Sequence, residues 1–324
     1  MHIEKLPLYQ TRLDEIPKDQ FKTPETEIGL HCVCIAIGVM KSGKTMAIRS
    51  KLLDLKKAVD GQCYNDRTFV ISPTAGSHIN KKLFEKVAAP EDIYEEPTYE
   101  SYSLILDKIR EEGEKWDEYK EKLRIYELIQ RYIRTGVPIE KWDEQILMAA
   151  HTYSVIDEKP THPYGHAPRL HVWLDDVQSS QLFTPSCRNV FLQNVTKHRH
   201  ISYGYSIFLS VQNYSGHGCL PKTLRQMLSL AMIYKPADQG KKLQISQELA
   251  TEVDKNTFLE ALDLACKTRH DFLLVDLQPK QEKYRFRKNW NELIVVDSVT
   301  KNSEEKSKPK EKTHESKSDF VPDN

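Results

Sequence analysis

The chain has 324 residues, of which 39% are hydrophobic and 29% charged, enough to bury a core beside a very polar remainder. Lys plus Arg and Asp plus Glu balance at 47 each, which excludes a globally basic nucleic-acid coat and leaves a local basic face open. Mean hydropathy is −0.60 and no apolar run approaches the ~20 residues of a membrane helix, so no membrane anchor is expected; Met1–Ile16 also lacks the apolar stretch of a signal peptide.

Residues 1–27 are polar and carry Pro7, Pro17 and Pro24, which marks an N-terminal arm or edge segment. Cys32-Val-Cys-Ile-Ala-Ile37 is a short apolar run bounded by Gly38 and reads as a fully buried parallel strand. Ile48, Leu52, Leu55 and Val59 share one face of a helix over 44–59. Thr68–Ser72 is a second buried strand, stopped by Pro73, and strand, helix, strand in this order predicts a right-handed βαβ unit. Residues 91–150 differ, with 16 acidic and 9 basic side chains. There Trp116, Tyr119, Leu123, Tyr126, Ile129 and Ile133 form an amphipathic stripe. The segment reads as a helical insertion, a hairpin broken near Gly113 or Gly136. It serves either as a solvated packing appendage or as a partner site.

The alternation resumes with a strand at Leu170–Leu174, a helix at Arg188–His200, and strands at Tyr205–Val211 and Leu228–Tyr234. A helix over 244–268 follows, then a late hairpin from Asp271–Asp276 and Lys283–Val296 that turns around Pro279. From Lys301 there are six Lys, six acidic residues and almost no apolar side chain. Residues 299–324 are therefore expected to be a disordered tail, unable to offset their ordering entropy. The fold class predicted is α/β: a parallel central sheet flanked by helices, over 28–298, with the insertion at about 91–150. The six cysteines form no C-x-x-C pair and read as reduced; Cys32 and Cys34 point to one face of their strand. His162-Pro-Tyr-Gly-His166 lacks helical spacing, so a zinc site is not expected there.

Gly38-Val39-Met40-Lys41-Ser42-Gly43-Lys44-Thr45 fits G-x-x-x-x-G-K-[ST], after a buried strand and before a helix. Two glycines let the backbone wrap so that successive N–H groups face a phosphate chain. These eight residues are the expected ATP-binding loop, with Lys44 reaching the β- and γ-phosphates and the Thr45 hydroxyl serving Mg²⁺. The alternative is a fortuitous Gly-rich turn. Leu170-His-Val-Trp-Leu-Asp175-Asp176 supplies a second element, an apolar strand ending in two carboxylates. Asp175 would hold Mg²⁺ and Asp176 would polarise the attacking water; the plain alternative is an acidic turn. Gln212 ends the strand Tyr205–Val211, where its amide would lie near the γ-phosphate and orient water; simple turn formers also occupy such positions.

Between Val177 and Ala237 there is no Asp or Glu, while Arg188, Lys197, Arg199, Lys222, Arg225 and Lys235 are present. This segregation predicts a positive surface beside the nucleotide, facing its phosphates or those of DNA. The other reading is a basic face that pairs with the acidic insertion. Arg225, just before a strand, is the first candidate for an arginine finger and Arg199 the second. Lys197, Arg199 and Lys222 are the candidate DNA contacts.

Taken in order, these pieces resemble the poxvirus-type DNA-packaging ATPases of the FtsK–HerA superfamily, found in large DNA viruses, virophages and Polinton-like elements. The resemblance runs through Gly38–Thr45, Val70-Ile-Ser-Pro-Thr74, Val172–Asp176, Lys197-His-Arg-His200, Ser206–Asn213, Leu220–Arg225 and Tyr284-Arg-Phe-Arg-Lys-Asn289, about residues 30–295. It implies a P-loop NTPase fold of the RecA/FtsK–HerA kind and a DNA-stimulated ATP hydrolase with ATP and Mg²⁺ as ligands. It also implies a motor that moves double-stranded DNA into a preformed capsid. With that go a self-assembled ring, as a hexamer, a capsid portal vertex as partner, and a workplace at the host-cell site of virion assembly, cytoplasmic or nuclear, with retention in the virion an option. Gln212 as sensor and an arginine finger acting in trans also follow from the resemblance. Met40 and Lys41 depart from it, standing where small residues are usual, and Asn213–Leu220 is longer and richer in Gly and His. Competing readings are a terminase-like ATPase without its nuclease domain, another helicase-type or conjugative translocase of the superfamily, and a nucleotide-binding scaffold that does not hydrolyse.

Overall fold

In the computed structural model the described residues are 23, 27–57, 63–155, 158–186, 188–216, 218–250 and 253–296. Most of the expected arm and the expected tail at 299–324 lie outside them. The first strand, β1 (Val33–Ile37), is buried at every position, which is why it reads as an unbroken apolar run. Val33, Ile35 and Ile37 face one core cluster, and Cys32, Cys34 and Ala36 the other. The two cysteines do share a face. The described cysteines are free thiols, and burial pushes Cys32 up to about 12 and Cys266 to about 11.

The remaining strands are β2 (Arg67–Ile71), β3 (Ile93–Tyr94), β4 (Leu170–Asp175), β5 (Tyr205–Val211), β6 (Leu230–Tyr234), β7 (Phe272–Asp276), β8 (Phe286–Lys288) and β9 (Glu292–Leu293). They form one sheet in the order β3-β2-β4-β5-β1-β6-β7-β8-β9. Strands β1 to β6 pair in parallel, and β7 to β9 extend the sheet antiparallel, as the expected late hairpin requires. The α/β class is thus the observed one, with a mostly parallel sheet covered on both sides.

Helices α1 (Lys44–Lys56) and α2 (His78–Phe84) cover the Cys34 face through Ile48, Leu52, Leu55 and Phe84. The opposite face is covered by α3 (Tyr99–Arg134), α5 (Val190–Val195), α6 (Lys222–Gln226), α7 (Gln239–Leu249) and α8 (Lys255–Ala265); α4 (Glu144–Tyr153) packs on the outer half of α3. The chain therefore leaves β1 toward one face and β5 toward the other. That divergence opens a crevice outside the carboxyl ends of these neighbouring strands, the place where open α/β sheets bind ligands.

Several boundaries differ from the sequence reading. The 244–268 helix is two, because Asp254 caps a new start by accepting from Thr257 N at 3.0 Å. The helix expected over 188–200 is short, and His198–His200 form a 3-10 turn. The long helix α3 does not break at Gly113: that glycine is buried in a close contact, where a Cβ would lie 1.8 Å from Ser202 Oγ. The chain turns instead at Gly136, with φ +66°.

The insertion is also not one appendage. Tyr102, Ile105, Leu106 and Ile109 of α3 belong to the main core, and β3 pairs with β2. Arg67 ties the segment down, donating to both oxygens of the fully buried Asp92 at 2.7 and 2.8 Å and to Glu112 at 2.9 Å. The outer half forms its own small core of Ile125, Ile129, Ala150 and Val155. Of the expected stripe, Ile129 is inside and Ile133 is 52% exposed. Trp116 and Tyr119 pack instead on His162, with ring centroids 5.0 and 5.4 Å away. A single stripe was expected where one helix meets three different partners in turn.

Candidate active site

Gly38 continues the β1 ladder, donating to Val211 O at 3.2 Å. A Cβ on Gly38 would lie 2.7 Å from both Ser42 Oγ and Tyr234 Cβ, so the first motif glycine is a packing requirement. The loop folds back through left-handed backbone at Lys41 (φ +61°) and Gly43 (φ +106°). Gly43 is the N-cap of α1 and offers no side-chain cap, so the first-turn N–H groups stay available at the positive end of the helix dipole. The Ser42 hydroxyl is buried without a hydrogen-bond partner among the described residues. Lys44 reaches back along the loop and donates to Gly38 O at 2.8 Å and Val39 O at 3.0 Å. Burial lowers its pKa, against the pull of Asp176 and Asp175. Met40 is 66% exposed, which removes the steric objection to a large residue in this loop.

The two aspartates stand beside this loop. Although β4 is separated from β1 by β5, Thr45 Oγ1 at the start of α1 donates to Asp175 Oδ1 at 3.0 Å. Asp175 is 3% exposed. Desolvation raises its pKa, opposed by hydrogen bonds from Ser210 and Thr45. Ser210, its register partner on β5, donates to Asp175 and accepts from Asp176 N. Asp176 adopts φ +54°, a left-handed turn that Asp tolerates better than most side chains. Gln212 Nε2 donates to Asp176 Oδ1 at 3.1 Å. Thr45, Asp175, Ser210, Asp176 and Gln212 thus form one connected set at the loop's edge.

Sequence reasoning missed two members of this site. Ser210 is one of two buried serines in β5, with Ser206, and the one near its carboxyl end; a hydroxyl at that place in a buried strand was its signal. Gln178 carried no signal, because its role is set by the meeting of two loops. It accepts from Gln212 N at 2.8 Å and donates to Asn213 O at 2.8 Å, bracing the carboxyl end of β5 against the turn after β4. Asn213 Oδ1 in turn accepts from Lys241 Nζ at 2.9 Å.

The expected basic surface is placed differently. Lys197 and Arg199 are exposed, and their turn precedes β5. Because β5 runs parallel to β1, that turn stands at the amino end of the sheet, opposite the glycine loop. The positive surface is therefore not all beside the loop. Among the described residues no base of the stretch forms an ion pair with the acidic insertion; the one polar link to its acids is the Tyr203 hydroxyl, which donates to Asp117. Acids of α3 pair with bases of α3 itself, such as Lys115 with Glu111 and Lys122 with Glu118, or with Arg67. Arg225 is paired within the chain: Nη1 meets both Glu248 oxygens at 2.6 Å, and the guanidinium lies 5.4 Å over the Tyr214 ring. Lys222, at the start of α6, is exposed.

No family model and no curated protein matches the chain. Among solved structures it is similar to the genome packaging NTPase B204 from Sulfolobus turreted icosahedral virus 2 in complex with AMP, at 12% identity over 80% of this chain and 96% of that one, with a TM-score of 0.38. It is similar to the pCW3 conjugation coupling protein TcpA with ATPgS at 14% identity, over 84% and 63%, with a TM-score of 0.42. It is also similar to ATPases 2 and 3 of EssC from Geobacillus thermodenitrificans at 13% identity, over 85% and 43%, with a TM-score of 0.38.

Proposed function

We propose that this chain is an ATP hydrolase that moves double-stranded DNA, and that its task is packaging a viral genome into a preformed capsid. The observation that carries the hydrolase reading is the connected set from Thr45 to Gln212 beside a G-x-x-x-x-G-K-T loop. The uncapped N–H groups of α1 and the wrapped loop bind the β- and γ-phosphates, and Lys44 turns from the loop carbonyls to them. Thr45 and Asp175 present a hydroxyl and a carboxylate side by side, an all-oxygen donor pair that suits Mg²⁺. When bound, that ion would neutralise charge on the transferring phosphoryl group. Asp176 accepts a proton from the attacking water, and the Gln212 amide fixes Asp176 while orienting that water.

The finer parts rest on the sequence resemblance together with charge placement. Lys197 and Arg199, exposed on a turn with no ion pair among the described residues, would hold DNA phosphates, so binding is independent of sequence and sensitive to salt. Lys222 is the third candidate contact. Arg225 would leave Glu248 to enter a neighbour's site in a ring, six subunits in the resemblance. The portal vertex and the host-cell site of virion assembly belong to the same reading.

Turnover of ATP measured with and without duplex DNA tests it. The wild type should be stimulated by DNA, and Lys44→Ala and Asp176→Asn should each lose about 10²-fold or more. Absent turnover in the wild type would sink the hydrolase reading. Turnover indifferent to DNA would leave a hydrolase and remove the translocase.

A further inference from the structure

One loop touches the glycine turn from the side away from the aspartates. It is Lys267-Thr-Arg-His270, between α8 and β7. Strand β7 runs antiparallel to β6 with Phe272 opposite Tyr234, so this loop arrives at the carboxyl end of β6, level with the glycine turn. His270 Nδ1 donates to Ser42 O at 3.1 Å, and a Cβ on Gly43 would lie 3.4 Å from the same nitrogen. Lys267 and Arg269 are exposed and have no ion-pair partner among the described residues. The nearby carboxylate, Asp271, is engaged elsewhere: it accepts from Thr268 N at 3.0 Å and from Asn289 Nδ2 at 3.2 Å. Trp290, next in sequence to Asn289, donates to Ala47 O of α1 at 3.1 Å. The late hairpin thereby fixes the loop and the helix to one another.

The sheet order turns this contact into an orientation. Asp176 and Gln212 stand at the ends of β4 and β5, on one side of β1; His270 stands beyond β6, on the other. A nucleoside triphosphate whose γ-phosphate meets Asp176 must run across the glycine turn and leave on the β6 side. We infer that the 267–270 loop binds the nucleoside end, with His270 and Arg269 meeting the ribose and base. This rests on the nucleotide reading of the glycine loop and adds to it the residues that distinguish a nucleotide from a bare polyphosphate.

The test compares two ligands on the full chain by calorimetry with Mg²⁺ present: ATP, and inorganic tripolyphosphate, which shares the phosphates and lacks the nucleoside. In Arg269→Ala/His270→Ala the Kd for ATP should rise about tenfold, while that for tripolyphosphate stays within about twofold. Tripolyphosphate binding doubles as the control for folding. Equal losses for both ligands would mean that the loop only props the glycine turn through Ser42, and would overturn the inference. So would an unchanged ATP affinity, or a wild type that binds both ligands equally well. His270→Asn, which keeps an amide donor for Ser42 O, should weaken ATP as Ala does if the ring itself meets the nucleoside. A wild type that binds neither ligand would remove the nucleotide reading as well, so the two failures are told apart.

Discussion

Gln178 makes two hydrogen bonds of 2.8 Å to consecutive backbone groups, Gln212 N and Asn213 O. Truncation in Gln178→Ala removes both and leaves a half-buried N–H and C=O to find water. At about 0.5–1.5 kcal/mol per bond, the loss is about 1–3 kcal/mol. Because these bonds hold the backbone from which Gln212 reaches Asp176, that loss should fall on the geometry around the attacking water. An expense of ~2 kcal/mol in the barrier is about a 30-fold fall in kcat. The glycine loop itself is untouched, so KM for ATP should hardly move. The decisive assay is steady-state ATP turnover in a double-mutant cycle with Gln212→Ala. If Gln178 acts through Gln212, the double variant is no slower than Gln212→Ala by more than about twofold. Additive losses, or a raised KM with unchanged kcat, would refute the bracing role.

Three further outcomes are expected. Arg67→Ala should destabilise the fold by about 3 kcal/mol near neutral pH in urea unfolding, since it strips the fully buried Asp92 of its bidentate partner and leaves Lys108. Burial alone would raise the Asp92 pKa, but the hydrogen bonds from Arg67 and Lys108 outweigh it and hold the carboxyl below its ordinary value. A depressed carboxyl stabilises above its unfolded pKa of about 3.9 and ceases to as pH falls through the folded value. The gap between wild type and variant should therefore be full at neutral pH and narrow below about pH 4. Arg225→Ala should cut turnover by about 10³-fold if that side chain serves a neighbour; mixing it with Lys44→Ala subunits should then restore measurable turnover, and a mixture as inactive as its parts would place Arg225 in its own subunit. Lys197→Ala/Arg199→Ala should lower the salt dependence of DNA binding by about two in log–log slope and leave basal turnover unchanged; an unaltered slope would take the turn off the DNA path.

What was legible in the sequence is what local pattern determines. Strands buried on both faces appear as continuous apolar runs, so β1, β2, β4 and β5 were placed within a residue or two. The glycine loop was legible because its glycines answer to backbone geometry, φ +106° at Gly43 and a close contact at Gly38. Asp175 and Gln212 were legible as polar residues closing apolar strands. Contacts between loops far apart in the chain were not. Gln178 with the 212–213 backbone, and His270 with Ser42, join segments 34 and 228 residues apart and leave no periodic trace. The helix α3 misled for a related reason: Gly113 looks like a breaker in isolation, and only the approach of Ser202 shows why a glycine stands there.

The placement of the basic turn changes what any coupling has to do. Residues 197–200 precede β5 and Gln212 follows it, so the two lie at opposite ends of one strand. Seven residues of parallel strand span roughly 23 Å. That strand is buried at every position and held between β1 and β4, and a close-packed interior transmits displacement with little compression. On the proposed hydrolase reading, a change at Gln212 would therefore be poorly suited to reaching the turn by local relaxation. It would be well suited to reaching it as a rigid movement of β5 with its neighbours. If, as proposed, DNA is held at that turn and the subunits form a ring, the working stroke would be a tilt of the whole sheet relative to the next subunit. On the proposed nucleotide reading, the groups that would answer directly to the nucleotide are those at the carboxyl edge, where Gln212 connects through Asn213 to Lys241 on α7.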